Sequence, residues 1–335
     1  MVEIGGLRTQ NRTALKSPDA VGTLMRAVAI MASGKLLFAV QDAIIKEMSG
    51  AYPVHQIMTI RGLVAIPLLL LLIRFTGGLG ILRHHRPLLH LVRGTLMLIA
   101  FTCFYVALAG TALTTATALF FTAPFFITLL SIPLLGEHVG ARRFLGIGVG
   151  FCGVLVVLRP EAGEFGWYDL LPVAAAFFYA CCQLMVRVAR MTAPPAVMSL
   201  YASVAFVVLG GLGGLLLNDH GVAPDAGVGT QFLLRSWTRP EIWDALLLML
   251  TGLTSALGFM CTSNAYQREQ ASRISPFEYV MIVWVILLSY LIWSEVPDTL
   301  TLIGVAMIIG SGIYVIRRES RLDDGQIAYD GLTRR

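Results

Sequence analysis

The chain has 335 residues, of which 56% are hydrophobic and 13% charged, against roughly 25% charged in an ordinary soluble domain. Its mean hydropathy is +0.75, which excludes a water-soluble domain over most of the length. The formal net charge of +5 is carried by basic residues in short bursts between apolar runs, a pattern that reports membrane topology rather than a nucleic-acid surface.

An apolar run of about 20 residues crosses a bilayer as a helix, and clusters of Gly, Pro, Arg and Asp mark the breaks between runs. After a polar start over residues 1–23, ten spans are expected: Leu24 to Met48, Val54 to Ile73, Leu88 to Leu108, Thr111 to Leu135, Ala141 to Leu158, Trp167 to Val188, Ala196 to Leu217, Trp243 to Asn264, Ile274 to Trp293 and Leu300 to Ile316. Pro124 and Pro133 are expected to kink the fourth. No small-residue cleavage site follows the first run, so it reads as a span rather than a removed leader. The stretch from Asn218 to Asp244 reads as the longest loop, and Glu319 to Arg335 as a disordered tail, polar and poor in aliphatics.

Arg and Lys are distributed unevenly over the connections. Arg8, Arg12, Lys16, Arg74, Arg83, Arg86, Arg142, Arg143, Arg187, Arg190, Arg268, Arg273, Arg317, Arg318 and Arg321 fall on one side, and Arg159, Arg235 and Arg239 on the other. This bias places both termini in the cytoplasm of a bacterial cell, the chain being a multi-pass inner-membrane protein. Tyr52, Trp167, Tyr168, Trp243 and Trp293 then collect at the outer interface, where amphipathic rings are favoured.

Sliding the fourth and fifth spans by 158 residues sets Glu137 on Glu295, Gly146 on Gly304, Val157 on Val315 and Arg159 on Arg317 without a gap. A comparable echo, at a different offset, lays Gln41 to Lys46 over Cys182 to Arg187. Two halves of five spans each, 24–160 and 161–318, enter the membrane in opposite directions. Such inverted repeats can rock about a midplane site.

The segments Gln41-Asp42-x-x-x-Lys46, Arg61-Gly62, His90-Leu91-Val92-Arg93-Gly94, Thr114-Thr115-Ala116-Thr117-Ala118, Gly136-Glu137-x5-Arg143, Gly150-Phe151-x-Gly153-Val154-x4-Arg159-Pro160 and Ser275-Pro276-Phe277-Glu278-Tyr279 with Ser294-Glu295 occur in that order. Over about Met31 to Arg318 the chain thereby resembles the EamA-type members of the drug/metabolite transporter superfamily. The pattern is most similar to the branch of S-adenosylmethionine uptake transporters, with Glu278 standing where that branch often has a basic or amide residue. The resemblance implies an all-α membrane protein of two inverted five-helix repeats that carries a small metabolite.

Charged side chains inside a span face a cavity or a partner, because burying one in lipid costs roughly 2.5–3.5 kcal/mol at the least. The candidate substrate-binding residues are Lys35, Asp42, Lys46, Arg61 and Glu278, joined by Asn264, Tyr266 and Tyr279. Asp42 and Lys46 share a helix face and can pair. Arg61 adds surplus positive charge for a substrate carboxylate. Lys35 has no partner in its own helix, and Glu278 reads as a residue near the aqueous end, able to pair with Arg273. Arg93 and His90 read as interfacial positioning residues, and the Gly-x-x-x-Gly pairs 146/150 and 210/214 as packing contacts.

Cys103, Cys152, Cys181, Cys182 and Cys261 lie in apolar runs without metal-ligand spacing, so neither disulfide, metal nor other cofactor is expected. No nucleophile elbow, His-Glu-x-x-His or phosphate loop occurs, which argues against an enzyme. No ring of like residues suggests a channel filter. The expected function is secondary transport, by alternating access, of a small polar or zwitterionic metabolite resembling S-adenosylmethionine or derived from an amino acid. The alternatives are a carrier of riboflavin or a drug-like amphiphile, and an integral-membrane enzyme. The partners expected are the substrate and the bilayer, with homodimerisation left open.

Overall fold

Long apolar runs without water to hydrogen-bond their backbones form helices, since only helices satisfy every N–H and C=O within one segment. A computed structural model describes residues 20–84, 87–110, 113–137, 139–159, 170–189, 193–217, 232–293 and 297–332, with the side chains of a minority of these, Lys46 included, outside the description. The helices are α1 Ala20–Met48, α2 Val54–Thr76, α3 Pro87–Gly110, α4 Leu113–Phe120, α5 Ala123–Leu135, α6 Ala141–Leu158, α7 Leu170–Ala189, α8 Pro195–Leu217, α9 Ile242–Arg268, α10 Ala271–Ile274, α11 Val280–Trp293 and α12 Thr299–Leu332. Among the described residues, nine helical segments have the length and hydropathy to cross a membrane, and Thr299–Val315 is a shorter apolar helix. The last helix continues through the segment expected to be disordered as far as Leu332. That segment holds no proline to stop it.

Two membrane helices are interrupted, and the cause is local. Between α4 and α5 the chain turns at Phe121 and Thr122, with Pro124 in the first turn of α5, where a missing N–H costs nothing. Between α10 and α11 a 3-10 turn, Ser275–Tyr279, contains Pro276 near its start. The 158-residue offset carries Leu113, Leu135 and Ala141 onto Ala271, Trp293 and Thr299, each an element boundary. Phe121 and Tyr279, related by that offset, face each other with ring centroids 5.8 Å apart.

The helices pack in exchanged pairs: α1 lies on α9 and α3 on α7, α2 on α8, and α6 on α12. Small residues set the closest of these crossings. A Cβ on Gly153 would stand 2.7 Å from the Gly304 carbonyl oxygen, and a Cβ on Gly304 would stand 2.7 Å from that of Gly153. Gly150 leaves room for the Tyr279 ring in the same way, its absent Cβ falling 2.7 Å from a ring carbon. Gly153→Val is therefore expected to force α6 and α12 apart and to lower the detergent melting temperature by several degrees, whereas Gly148→Ala, with nothing near its Cβ, should leave it unchanged.

At the Tyr52 end of the bundle, residues 232–241 form a strap across α2 and α8. The Gln56 amide both donates to the Thr238 carbonyl, 2.6 Å, and accepts from its N–H, 3.2 Å. The Trp237 indole donates to His55 Nδ1 at 2.6 Å and fills the space over Gly214. Tyr52 donates to Asp244 at 2.6 Å, and the buried Phe232 packs on Tyr105. Also outside the lipid-spanning segments, Arg159 clasps both oxygens of Asp298, at 2.7 and 2.6 Å, and holds its carboxyl well below the usual range.

At the opposite end, Glu137 closes the loop between α5 and α6. Its carboxylate accepts from the N–H of Ala271 at 2.9 Å and from the N–H and hydroxyl of Ser272 at 3.0 and 2.6 Å. It thus caps α10, a favoured place for a negative charge. Arg143 donates to the same Ser272 hydroxyl, so the Gly-Glu-x5-Arg motif ties one half of the chain to the interrupted helix of the other. Its repeat counterpart, Glu295, lies outside the described residues.

Candidate functional site

Two charged residues of the spans meet inside the bundle. Lys35, on α1, forms an ion pair with Glu278 of the 3-10 turn, and the two are 5% and 3% exposed. Tyr179, on α7, donates to both carboxylate oxygens at 3.1 Å, and Tyr266, on α9, donates to one of them at 2.8 Å. Lys35 also donates to the Tyr179 oxygen at 3.2 Å. One carboxylate thus gathers donors from three other helices, which keeps its charge satisfied away from water.

This corrects two expectations. Glu278 is buried rather than near the aqueous end, because the 3-10 turn after Pro276 directs it into the bundle, and Arg273 approaches Glu269 instead, at 3.9 Å. Tyr279 leaves on the other side of the turn, toward Phe121, Ile147 and Ile308, and does not join the cluster. Asn264 accepts from Arg268 one turn along α9. Of the predicted residues, the structure brings together Lys35, Tyr266 and Glu278.

Arg61 occupies a second position. It is fully buried on α2, and none of its three guanidinium nitrogens has a hydrogen-bond partner among the described residues. Its faces are covered by aromatic rings, with Phe206 at 4.5 Å, Phe101 at 4.9 Å and Phe259 at 5.8 Å from the guanidinium carbon. These rings also pack edgewise on one another, and Phe38 on Phe259. Cation–π attraction accounts for the faces of the guanidinium, and at its N–H edge the polar neighbour is the Tyr105 hydroxyl, which makes no well-formed hydrogen bond with it.

Asp42 is half-buried and lies within electrostatic reach of Arg61 and Lys35, but no ion pair joins it to Arg61 among the described residues. It accepts a long hydrogen bond from Gln41, 3.5 Å. The expected partnership with Lys46 falls outside the described side chains.

Three contributors were not anticipated. Tyr179 sits in an apolar run with nothing but its hydroxyl to mark it. Tyr105 lies beside Arg61, one turn from Phe101. Arg93, expected at the interface, is 1% exposed and donates to Ser263 at 3.1 Å, because α3 begins at Pro87 and six residues carry it well below the end of the bundle. His90 stacks on Tyr201 with centroids 5.3 Å apart. Among the described residues no group of His, Cys, Asp and Glu could hold a metal.

The model of the EamA-like transporter family matches residues 25–159 and again 166–318. The chain belongs to the EamA-like transporter family. Three relatives from the drug/metabolite transporters illustrate its range. A riboflavin transporter of Rhizobium johnstonii is 27% identical over 73% of this chain and 75% of its own. The pseudopaline exporter CntI of Pseudomonas aeruginosa is 29% identical over 87% and 95%, and an S-adenosylmethionine uptake transporter of Rickettsia bellii 26% identical over 73% and 77%. A solved crystal structure superimposes with a TM-score of 0.70 over 88% of this chain and 98% of that one, at 20% identity, which gives the EamA-like chain its fold. The protein is a multi-pass membrane protein of a transporter family, and neither the family nor these relatives carry an enzyme's name.

Proposed function

We propose that this protein is a secondary transporter that moves a small polar or zwitterionic metabolite, resembling S-adenosylmethionine or derived from an amino acid, across the bacterial inner membrane by alternating access. The observation that carries the reading is Arg61, a fully buried guanidinium whose N–H edge has no protein acceptor among the described residues. A buried cation left in that state is stabilised by an anion that comes and goes. The planar edge suits the two oxygens of a carboxylate, and Asp42 is placed to attract an ammonium.

The halves 24–160 and 161–318, the ten spans and their inverted relation belong to the same proposal. The interrupted helices at corresponding places, the 158-residue offset between element boundaries and the exchanged helix pairs all favour it. Two halves of this kind can rock while the central cluster stays between them. Both termini and the Glu137 end face the cytoplasm in this reading. A reporter enzyme fused after Arg321 should then be active only if it works in the cytoplasm, and the opposite readout would invert the topology.

The functional test is counterflow in proteoliposomes. Vesicles preloaded with unlabelled S-adenosylmethionine are expected to accumulate the labelled compound transiently and saturably, and riboflavin in the same assay decides for the alternative cargo. Flux that rises linearly with concentration and shows no counterflow would indicate a channel instead.

A further inference from the structure

The proposed carrier holds a second buried guanidinium besides Arg61, and it stands on the same seam. Arg93, Met97 and Phe101 follow one another at four-residue spacing along α3, and Phe259, Ser263 and Tyr266 share a face of α9. Phe101 and Phe259 form the aromatic layer over which Arg61 lies, with centroids 6.0 Å apart. Eight residues away along α3, roughly 12 Å at 1.5 Å per residue, Arg93 donates one N–H to Ser263. Its Nε and Nη1 have no partner among the described residues, and no carboxylate lies within ion-pair distance there. The neighbours that reach it are neutral: the Cys182 thiol donates to its carbonyl oxygen, and Tyr179 stands nearby.

Arg61 is seven residues from the Tyr52 end of α2, and Arg93 six residues from the opposite end of α3. The two cations therefore bracket the Phe101, Phe206 and Phe259 layer. Of the carboxylates near this column among the described residues, Glu278 is already matched by Lys35 and two tyrosines, and Asp42 lies toward Arg61. A buried guanidinium with donors left over and no carboxylate to match its charge is a candidate site for an anion.

We infer that Arg93 and Ser263 form a second anion-binding subsite, on the Glu137 side of the aromatic layer, which takes the carboxylate of the substrate that Arg61 receives on the Tyr52 side. This deepens the carrier reading and rests on it. Arg93 offers Nε and Nη1, the Ser263 hydroxyl can turn its proton outward to the same carboxylate, and passage between the two arginines requires the rings between them to part.

The test does not need the natural substrate. A membrane-impermeant sulfonated arylglyoxal, which condenses with guanidinium groups, is applied to right-side-out and inside-out vesicles containing the whole protein, and peptides bearing Arg93 and Arg61 are quantified by mass spectrometry. Arg93 should be labelled several-fold more from the Glu137 side and Arg61 several-fold more from the Tyr52 side. Acetate should slow labelling at Arg93 several-fold relative to acetamide at matched ionic strength. Labelling of Arg93 from neither side, equally from both, or without protection by acetate overturns the inference. Absence of counterflow from a protein that keeps the sided, acetate-protected labelling would sink the carrier reading alone and leave the subsite in place.

Discussion

Glu278→Ala should cost the folded protein about 3–5 kcal/mol, the penalty for leaving one member of a buried ion pair unmatched. Lys35 would then keep only the Tyr179 oxygen as an acceptor, and two tyrosine hydroxyls would lose their carboxylate. The measurement is the amount of monodisperse protein recovered from membranes, together with its melting temperature in detergent. Lys35→Met combined with Glu278→Leu should recover most of the loss, because removing both charges removes the uncompensated one. Equal stability of Glu278→Ala and wild type would mean that the pair is solvated, contrary to its burial.

Arg61→Met should do the reverse, abolishing transport without harming the fold. Arg61 has no ion-pair partner within the described residues, so the substitution breaks no direct ion pair and removes only the longer-range attraction to Asp42, and methionine fills an aromatic-lined gap readily. Uptake per folded molecule should fall at least tenfold, about 1.4 kcal/mol or more of lost interaction, while the melting temperature stays level or rises. Asp42→Asn should lower uptake similarly if the carboxylate receives the ammonium of a zwitterion. Normal uptake by well-folded Arg61→Met would remove Arg61 from the substrate path.

The contrast between these residues shows what a sequence can and cannot reveal. Nine of the ten expected spans were legible because hydropathy and length are properties of short windows, and the break at Pro124 was legible because proline acts locally. That Lys35 meets Glu278 was not, since 243 residues separate them and only the tertiary arrangement of α1, α7, α9 and the 3-10 turn joins them. The direction of Glu278 depends on a turn of five residues, where one residue more or less sends the side chain to the other face and exchanges it with Tyr279. Arg93 was misplaced for a related reason. Distance from the end of an apolar run suggested an interface, but α3 packs there on α7 and α8 and Ser263 of α9 reaches Arg93, so six residues of helix suffice to remove it from water. Tyr179 and the rings around Arg61 carried no signal beyond the apolar composition of their helices.

The strap over the Tyr52 end makes the state of the molecule one-sided. Phe232 rests on Tyr105, which stands beside Arg61, so in the proposed carrier the strap held by Trp237 and Gln56 lies over the Arg61 end of the path. Because Trp237 and Thr238 are neighbours in the chain, these two anchors release as a unit, and the strap is either on or off. Solute concentration at that end then sets how often an open moment is used and leaves the frequency of opening to the anchors. In the proposed carrier, the fastest turnover in that direction then has a ceiling set by side chains outside the cargo's binding groups.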